Sequence, residues 1–296
     1  MISIALASYN GSKYIREQLD SILSQTYQDF ELIICDDCST DNTWQILEEY
    51  AEKDNRVKIF RNDTNLGFKK NFEKAISLSK GEYIALSDQD DVWTEDHLDI
   101  LLHGMKDNVQ IVCGRPLFVD ENNKIIPMKY DYLQMDYVPQ TNEEHARHIF
   151  LGKSSYQGAS MLIKKSFFDI ALPIPDDSEY HDNWFAALAC FTGGLQYIDK
   201  VDMRYRRLFS SVTYTEKRKG ALRLFIGKVL KNGLSESRLV FCSEIRKRCK
   251  SLSILQSELL DTFEKIHNRN KTFIGRIRNI PYMLRYFKSI FAMKLF

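Results

Sequence analysis

Cysteine is scarce in this 296-residue chain: six, scattered at positions 35, 38, 113, 190, 242 and 249. That density excludes a disulfide-built scaffold and suits a reducing compartment. Cys35 and Cys38 have the spacing of a redox pair or a zinc half-site, but no second Cys pair or His pair stands at ligand spacing, which argues against both. Long apolar runs are missing as well. No stretch of 18 apolar residues occurs, so no membrane-crossing helix is expected. Residues 1–4 lack the charged start and apolar core of a signal peptide, and a cytoplasmic location is the expectation. There is no internal repeat and no low-complexity tract. What remains, 44% hydrophobic and 27% charged residues, is the composition of an ordinary folded protein with a sizeable core.

The net charge of +1 is unevenly spread. From residue 216 onward, 19 Lys and Arg stand against 6 Asp and Glu, leaving −12 on the first 215 residues. Two parts with different surroundings are expected: a domain over 1–215, and a helical, basic region over 216–296 with few Pro or Gly.

The front part alternates strand and helix signals. Strands are predicted at 2–7, 30–35, 57–60, 83–86 and 109–113, and helices at 12–25, 41–51, 69–79 and 94–105. Ser39 or Asp41 is the expected N-cap of the second helix. Such alternation predicts an α/β fold with a mostly parallel twisted sheet covered by helices. Further on, Asp120-Glu121-Asn122-Asn123 reads as a hairpin turn, 160–163 as a strand, 178–190 as a helix, and 195–198 and 203–205 as two strands.

Ligands of such sheets bind at the carboxyl ends of strands. Ser8-Tyr9-Asn10, Asp36-Asp37 and Asp88-Gln89-Asp90-Asp91 all fall there. Three carboxylates within four positions repel one another. A hard divalent cation together with a diphosphate would relieve that conflict, because Mg²⁺ and Mn²⁺ take one or two carboxylates, waters and substrate phosphates. The alternative is a solvated acidic turn that caps the helix beginning near Thr94.

Ala7-Ser8-Tyr9-Asn10, Leu23-Ser24-Gln25-Thr26-Tyr27-Gln28-Asp29-Phe30-Glu31, Asp36-Asp37-Cys38-Ser39-Thr40-Asp41 and Gly81-Glu82-Tyr83-Ile84 running into Ser87-Asp88-Gln89-Asp90-Asp91-Val92-Trp93 together resemble family 2 glycosyltransferases of the GT-A fold, with rhamnosyltransferase-like wording in the last segment. The resemblance covers about residues 1–212. It implies nucleotide-sugar contacts from Ala7, Tyr9, Asp37, Lys70, Asp88 and Arg206, and Mg²⁺ or Mn²⁺ on Asp90. Tyr9 would stack on the base, and Asp37 and Asp88 would accept hydrogen bonds from the base or ribose. The resemblance also implies Asp182 as the base that takes the acceptor proton in an inverting displacement, and Gly158, His181 and Trp184 on the acceptor side. Each has a plainer alternative: core aromatics, N-caps, a solvated helix face, a simple turn. One departure stands out. Relatives often carry a His after the last strand, where this chain has Leu208, which cannot ligate; Arg206 or Arg207 would then meet the diphosphate.

Basic residues mixed with aromatics over 280–291 suit an anionic bilayer surface. The expected partners are a dTDP-rhamnose or UDP-hexose donor, a polyprenyl-diphosphate-linked glycan acceptor, and the cytoplasmic face of the inner membrane. The expected setting is O-antigen or capsule synthesis. Nucleic acid is not expected, because the front part is acidic and no recognition module is present. Two alternatives stay open: a non-catalytic partner in an assembly complex, which Leu208 permits, and a sugar-nucleotidyltransferase. The second would need a Gly-rich basic loop after the first strand, where Ala7-Ser8-Tyr9-Asn10-Gly11-Ser12 stands instead.

Overall fold

The computed structural model describes residues 1–126, 138–151, 156–178, 180–208, 237–269, 271–272, 274–275 and 278–279. The chain divides into two compact units, one made of 1–127, 156–174 and 195–214, the other of 128–155, 175–194 and 215–296.

The first unit is built on one mixed sheet. Its strands are β1 (Ile2–Ser8), β2 (Phe30–Asp36), β3 (Val57–Arg61), β4 (Tyr83–Ser87), β5 (Val92–Trp93), β6 (Ile111–Val119), β7 (Met161–Lys164) and β8 (Leu195–Arg206), in the order β3-β2-β1-β4-β7-β6-β8-β5. β3, β2, β1 and β4 run parallel, as do β6 and β8, while β7 and β5 pair antiparallel with their neighbours. Helices α1 (Ile15–Leu23), α2 (Thr43–Lys53), α3 (Phe68–Leu78) and α4 (His97–Gly104) accompany it. β1 and β2 are apolar almost throughout and wholly or nearly buried, as strands covered on both faces must be. Ile15, Leu19 and Ile22 of α1 pack with Ile2, Ile4 and Leu6 of β1 in one core.

Several boundaries differ from those predicted. Residues 92–93 form the short strand β5 against β8, so the fourth helix begins at His97 rather than Thr94. The two predicted strands 195–198 and 203–205 are one strand of 12 residues, paired along β6 with shifts of register around Arg115. The second helix starts at Thr43 after Asn42, and Asp41 accepts from the Thr43 amide instead of Ser39 capping it. The hairpin at 120–123 is present: Asn123 has φ 63°, and Val119 bridges Ile125.

The second unit contains α5 (Asn142–Phe150), α6 (His181–Thr192), α7 (Ser237–Arg248) and α8 (Ile254–Arg269). Its core is aromatic. Phe150 stacks on Phe263 at 4.4 Å and meets Phe191 and Phe241 edge-on, and Trp184 lies 5.7 Å from Phe241. This cluster explains why 128–155 and 175–194 group with the C-terminal region instead of with the sheet, unlike the division at 215/216 read from charge. The cations of the 246–248 run are largely answered within the unit: Arg246 pairs with Asp261 and Glu264, and Lys247 and Arg248 pair with Glu244. The basic stretch 217–219, the apolar stretch 222–230 and the segment 280–296 lie outside the described residues. No helix among the described residues is long and apolar enough to cross a membrane.

Candidate functional site

Parallel register places the ends of β1, β2 and β4 side by side: Ser8 is opposite Asp36, and Leu6 opposite Ser87. Neighbouring strands lie about 4.8 Å apart, so Tyr9, Asp37 and Asp88, which follow these ends, emerge at one edge of the sheet. Ala7 is half-buried at the end of β1, and Tyr9 is 46% exposed.

The loop after β1 hangs from side chains of the loop after β2. Ser39 Oγ accepts from the Asn10 amide at 2.9 Å, Thr43 Oγ1 from Gly11 at 2.8 Å, and Asp41 from Ser12 at 3.2 Å. Asn10, at φ 48°, returns its Oδ1 to the Thr40 amide. Asp36 is fully buried and accepts from the Ser39 amide and hydroxyl. The hydroxyl and carboxylate residues of the 36–43 segment are therefore the scaffold of the edge.

Asp37 is 2% exposed. Its carboxylate accepts from Asn62 Nδ2 and from the amides of Leu66 and Gly67, each at 2.8 Å. It thus shapes the turn before α3, in which Gly67 has φ 79°. Lys70, in the first turn of α3, is exposed and pairs with Glu73 at 2.9 Å.

The acidic segment 88–91 joins β4 to β5. Asp88 and Asp90 are half-buried, and Asp91 is 1% exposed. Burial pushes the Asp90 carboxyl up to about 6, with the Arg206 charge working against the rise. Burial, then the neighbouring charges of Asp90 and Asp88, push Asp91 well above the usual carboxylate range. One Asp91 oxygen accepts from the Arg206 amide at 2.9 Å, and the other is buried with no hydrogen-bond partner. Asp91 is no helix-start acid, because α4 begins six residues later.

Arg206, expected at the diphosphate, is 3% exposed. Its Nε donates to the Asp90 carbonyl at 2.8 Å and an Nη to the Glu121 carbonyl at 3.1 Å; the other Nη pairs with Glu17, and the group lies over the Tyr14 ring. Arg206 holds the acidic segment from behind. Leu208 follows β8, half-buried, and offers no ligating atom.

Gly158 belongs to a buried turn, Gly158–Ser160, that precedes β7 beside the carboxyl end of β4, and in it Ser160 donates to Asp202 at 2.5 Å. His181, Asp182 and Trp184 lie on α6 of the second unit. Asp182 is half-buried in the first helical turn, where its Oδ1 accepts from the Asn183 amide; His181 is 7% exposed. Trp184, expected on the acceptor side, is fully buried in the aromatic core with Arg248 over its ring at 5.0 Å, so it packs the unit and presents no surface to an acceptor.

The donor set suits a cation. Two raised carboxyls and a buried, unpartnered oxygen mark negative charge that the protein leaves incompletely compensated. No three His, Cys, Asp or Glu side chains among the described residues form a ready-made metal cage. Mg²⁺ and Mn²⁺ commonly complete such sites with water and phosphate oxygens.

A mixed sheet of this kind flanked by helices is an α/β fold of the GT-A class, in which ligands meet the carboxyl ends of the strands. The model of the glycosyl transferase family 2 matches residues 3–170, and the chain belongs to that family. Among relatives, EpsH of Bacillus subtilis (strain 168), a putative glycosyltransferase, is 28% identical over 94% of this chain and 81% of its own length. WfaP of Escherichia coli, a UDP-Glc:alpha-D-GlcNAc-diphosphoundecaprenol beta-1,3-glucosyltransferase, is 39% identical over 36% of this chain and 41% of its own. The crystal structure of S. aureus TarS 1-349 with UDP-GlcNAc superposes with a TM-score of 0.63 at 18% identity, over all of this chain and 76% of that one, which shows a shared fold. Against most of the curated relatives it matches, the chain spans about half of their length.

Proposed function

We propose that this chain is an inverting transferase that moves a sugar from a nucleoside-diphosphate donor to a lipid-linked glycan during surface polysaccharide synthesis. The gathering of Tyr9, Asp37 and the 88–91 carboxylates on three adjacent strand ends, in a family 2 chain, carries the reading. Tyr9 offers its exposed ring to the base. Asp37 fixes the turn beside it, and Asp88 faces the ribose. Asp90 holds Mg²⁺ or Mn²⁺ with help from its acidic neighbours; when bound, the cation supplies charge stabilisation to the diphosphate leaving group. Asp182 accepts the proton of the attacking hydroxyl, which requires it to be ionised.

UDP-hexoses head the donor choices, because a relative's name specifies UDP-Glc and a neighbour was crystallised with UDP-GlcNAc; dTDP-rhamnose follows from the wording of residues 88–93. WfaP's undecaprenol-linked acceptor supports a lipid-linked acceptor here. A peripheral position on the cytoplasmic membrane face is supported by Ile254 and Leu255, 78% and 77% exposed at the start of α8, close in sequence to the exposed Lys247 and Lys250. The test is nucleotide release from a panel of sugar nucleotides with Mn²⁺ and lipid-linked acceptors. Asp90→Ala and Asp182→Asn should each abolish release. Donor binding without turnover on any acceptor would reject the transferase reading in favour of a non-catalytic partner.

A further inference from the structure

Gln89, the residue between the two acids of the Asp-x-Asp, has no role in the donor site as proposed. Its side chain pairs with the backbone of Tyr9. Oε1 accepts from the Tyr9 amide at 2.8 Å, and Nε2 donates to the Tyr9 carbonyl at 2.9 Å. One amide group thus satisfies both polar groups of a residue 80 positions away, at the point where the chain leaves β1. A two-point contact of this kind fixes orientation as well as position, because neither bond can rotate without stretching the other.

Gly11 completes the arrangement. A Cβ built there would lie 2.2 Å from Gln89 Oε1 and 2.5 Å from its amide carbon. Gly11 is not in the left-handed region, so its backbone would accept alanine without strain. What it provides is room for the Gln89 amide. Gly11 is itself held by Thr43 Oγ1, so the loop cannot easily retreat.

The geometry assigns Gln89 and Gly11 to a clasp that sets the Tyr9 ring over the nucleoside pocket and links its pose to the acidic segment. Gln89 is a positioning residue. It touches no reacting atom and acts through Tyr9. The inference rests on the proposed donor site, and its test separates the two.

UDP, dTDP and GDP are titrated with Mn²⁺ into the full chain, and pyrophosphate with Mn²⁺ serves as a probe that lacks a nucleoside. Both bonds are exposed to solvent, at the weak end of the ordinary range, and losing the pair amounts to about a tenfold effect. Gln89→Ala should therefore weaken the preferred nucleotide about tenfold and leave pyrophosphate within about twofold. Gly11→Ala should do the same, because its methyl expels the Gln89 amide. The double variant should be no weaker than either single, because both changes remove one object. Gln89→Asn, too short to reach both groups, repeats the test with the amide kept. Nucleotide affinity unchanged in Gln89→Ala overturns the inference. Additive effects of the two substitutions, or equal loss of pyrophosphate binding, also overturn it, because they indicate general damage to the loop. A native chain that binds none of the three nucleotides would overturn the donor site and the clasp's role with it.

Discussion

Replacing Arg206 by Met tests whether the acidic segment is held from behind. The guanidinium is buried and donates to the carbonyls of Asp90 and Glu121, and it pairs with Glu17. Glu17 is 44% exposed, so its share is small. The two carbonyl bonds come from a charged donor, each contributing about 1.5–3 kcal/mol, and their loss leaves acceptors without a partner. A total of about 3–6 kcal/mol follows, equivalent to roughly 10–20 °C in melting temperature for a unit of this size. The cost should depend on pH. Arg206 holds down the raised carboxyls of Asp90 and Asp91, and that contribution exists only while they are ionised. At about pH 5 Asp90 is largely protonated, so the loss should be smaller there than at about pH 7. Arg206→Lys should recover little, because one ammonium cannot replace the fork. Thermal melts of the full chain at both pH values measure this. A loss below about 1 kcal/mol, or one equal at the two pH values, would refute the reasoning.

Other outcomes are expected from the same structure. Asp90 and Asp91 have folded values above their unfolded ones, so their contribution to stability is complete below about pH 4; that of Asp90 is lost as pH rises through about 6, and that of Asp91 goes on falling as pH rises further. Asp91→Asn keeps the acceptor for Arg206 and should flatten that decline; equal melting shifts at about pH 5 and about pH 7 would contradict it. For the same reason Mn²⁺ with nucleotide should raise the melting temperature more at the higher pH than at the lower, because cation and proton compete for these oxygens. Trp184→Ala should cost about 3–5 kcal/mol by emptying the aromatic core, whereas Trp184→Phe should cost far less and leave the acceptor KM unchanged. Ile254→Ser with Leu255→Ser should reduce co-sedimentation with anionic vesicles and spare turnover of a soluble acceptor; unchanged sedimentation would remove this tip from the membrane contact.

The parallel half of the sheet is legible in the sequence because its strands are short apolar runs, each followed by helical spacing, and because hydroxyl and acidic residues collect at the strand ends. Three acids soon after Leu86 are enough to mark the site. Which acids face outward is not legible. Asp37 looks like a nucleotide contact and Asp91 like a helix-start acid in sequence, yet one is engaged by three internal donors and the other is buried against Arg206. Alternation of residue types does not report such long-range partners. Gln89 carries no signal at all, since its partner is backbone 80 residues away. Trp184 is misread as an acceptor contact because its motif neighbours are polar, while helical packing buries it against Phe241 and under Arg248. The second unit is obscured for a related reason. Its aromatic core is assembled from three separated stretches, and net charge marks only the last of them.

The most direct test of the account is Mn²⁺-dependent nucleotide release from UDP-glucose, UDP-GlcNAc and dTDP-rhamnose on lipid-linked acceptors, with native chain, Asp90→Ala and Asp182→Asn side by side. The account predicts release by the native chain from one of these donors, none by Asp90→Ala, and no turnover but retained nucleotide binding by Asp182→Asn. Turnover that survives Asp90→Ala, or nucleotide binding equally tight in that variant and the native chain, would contradict the assignment of the 88–91 carboxylates to a nucleotide-diphosphate site.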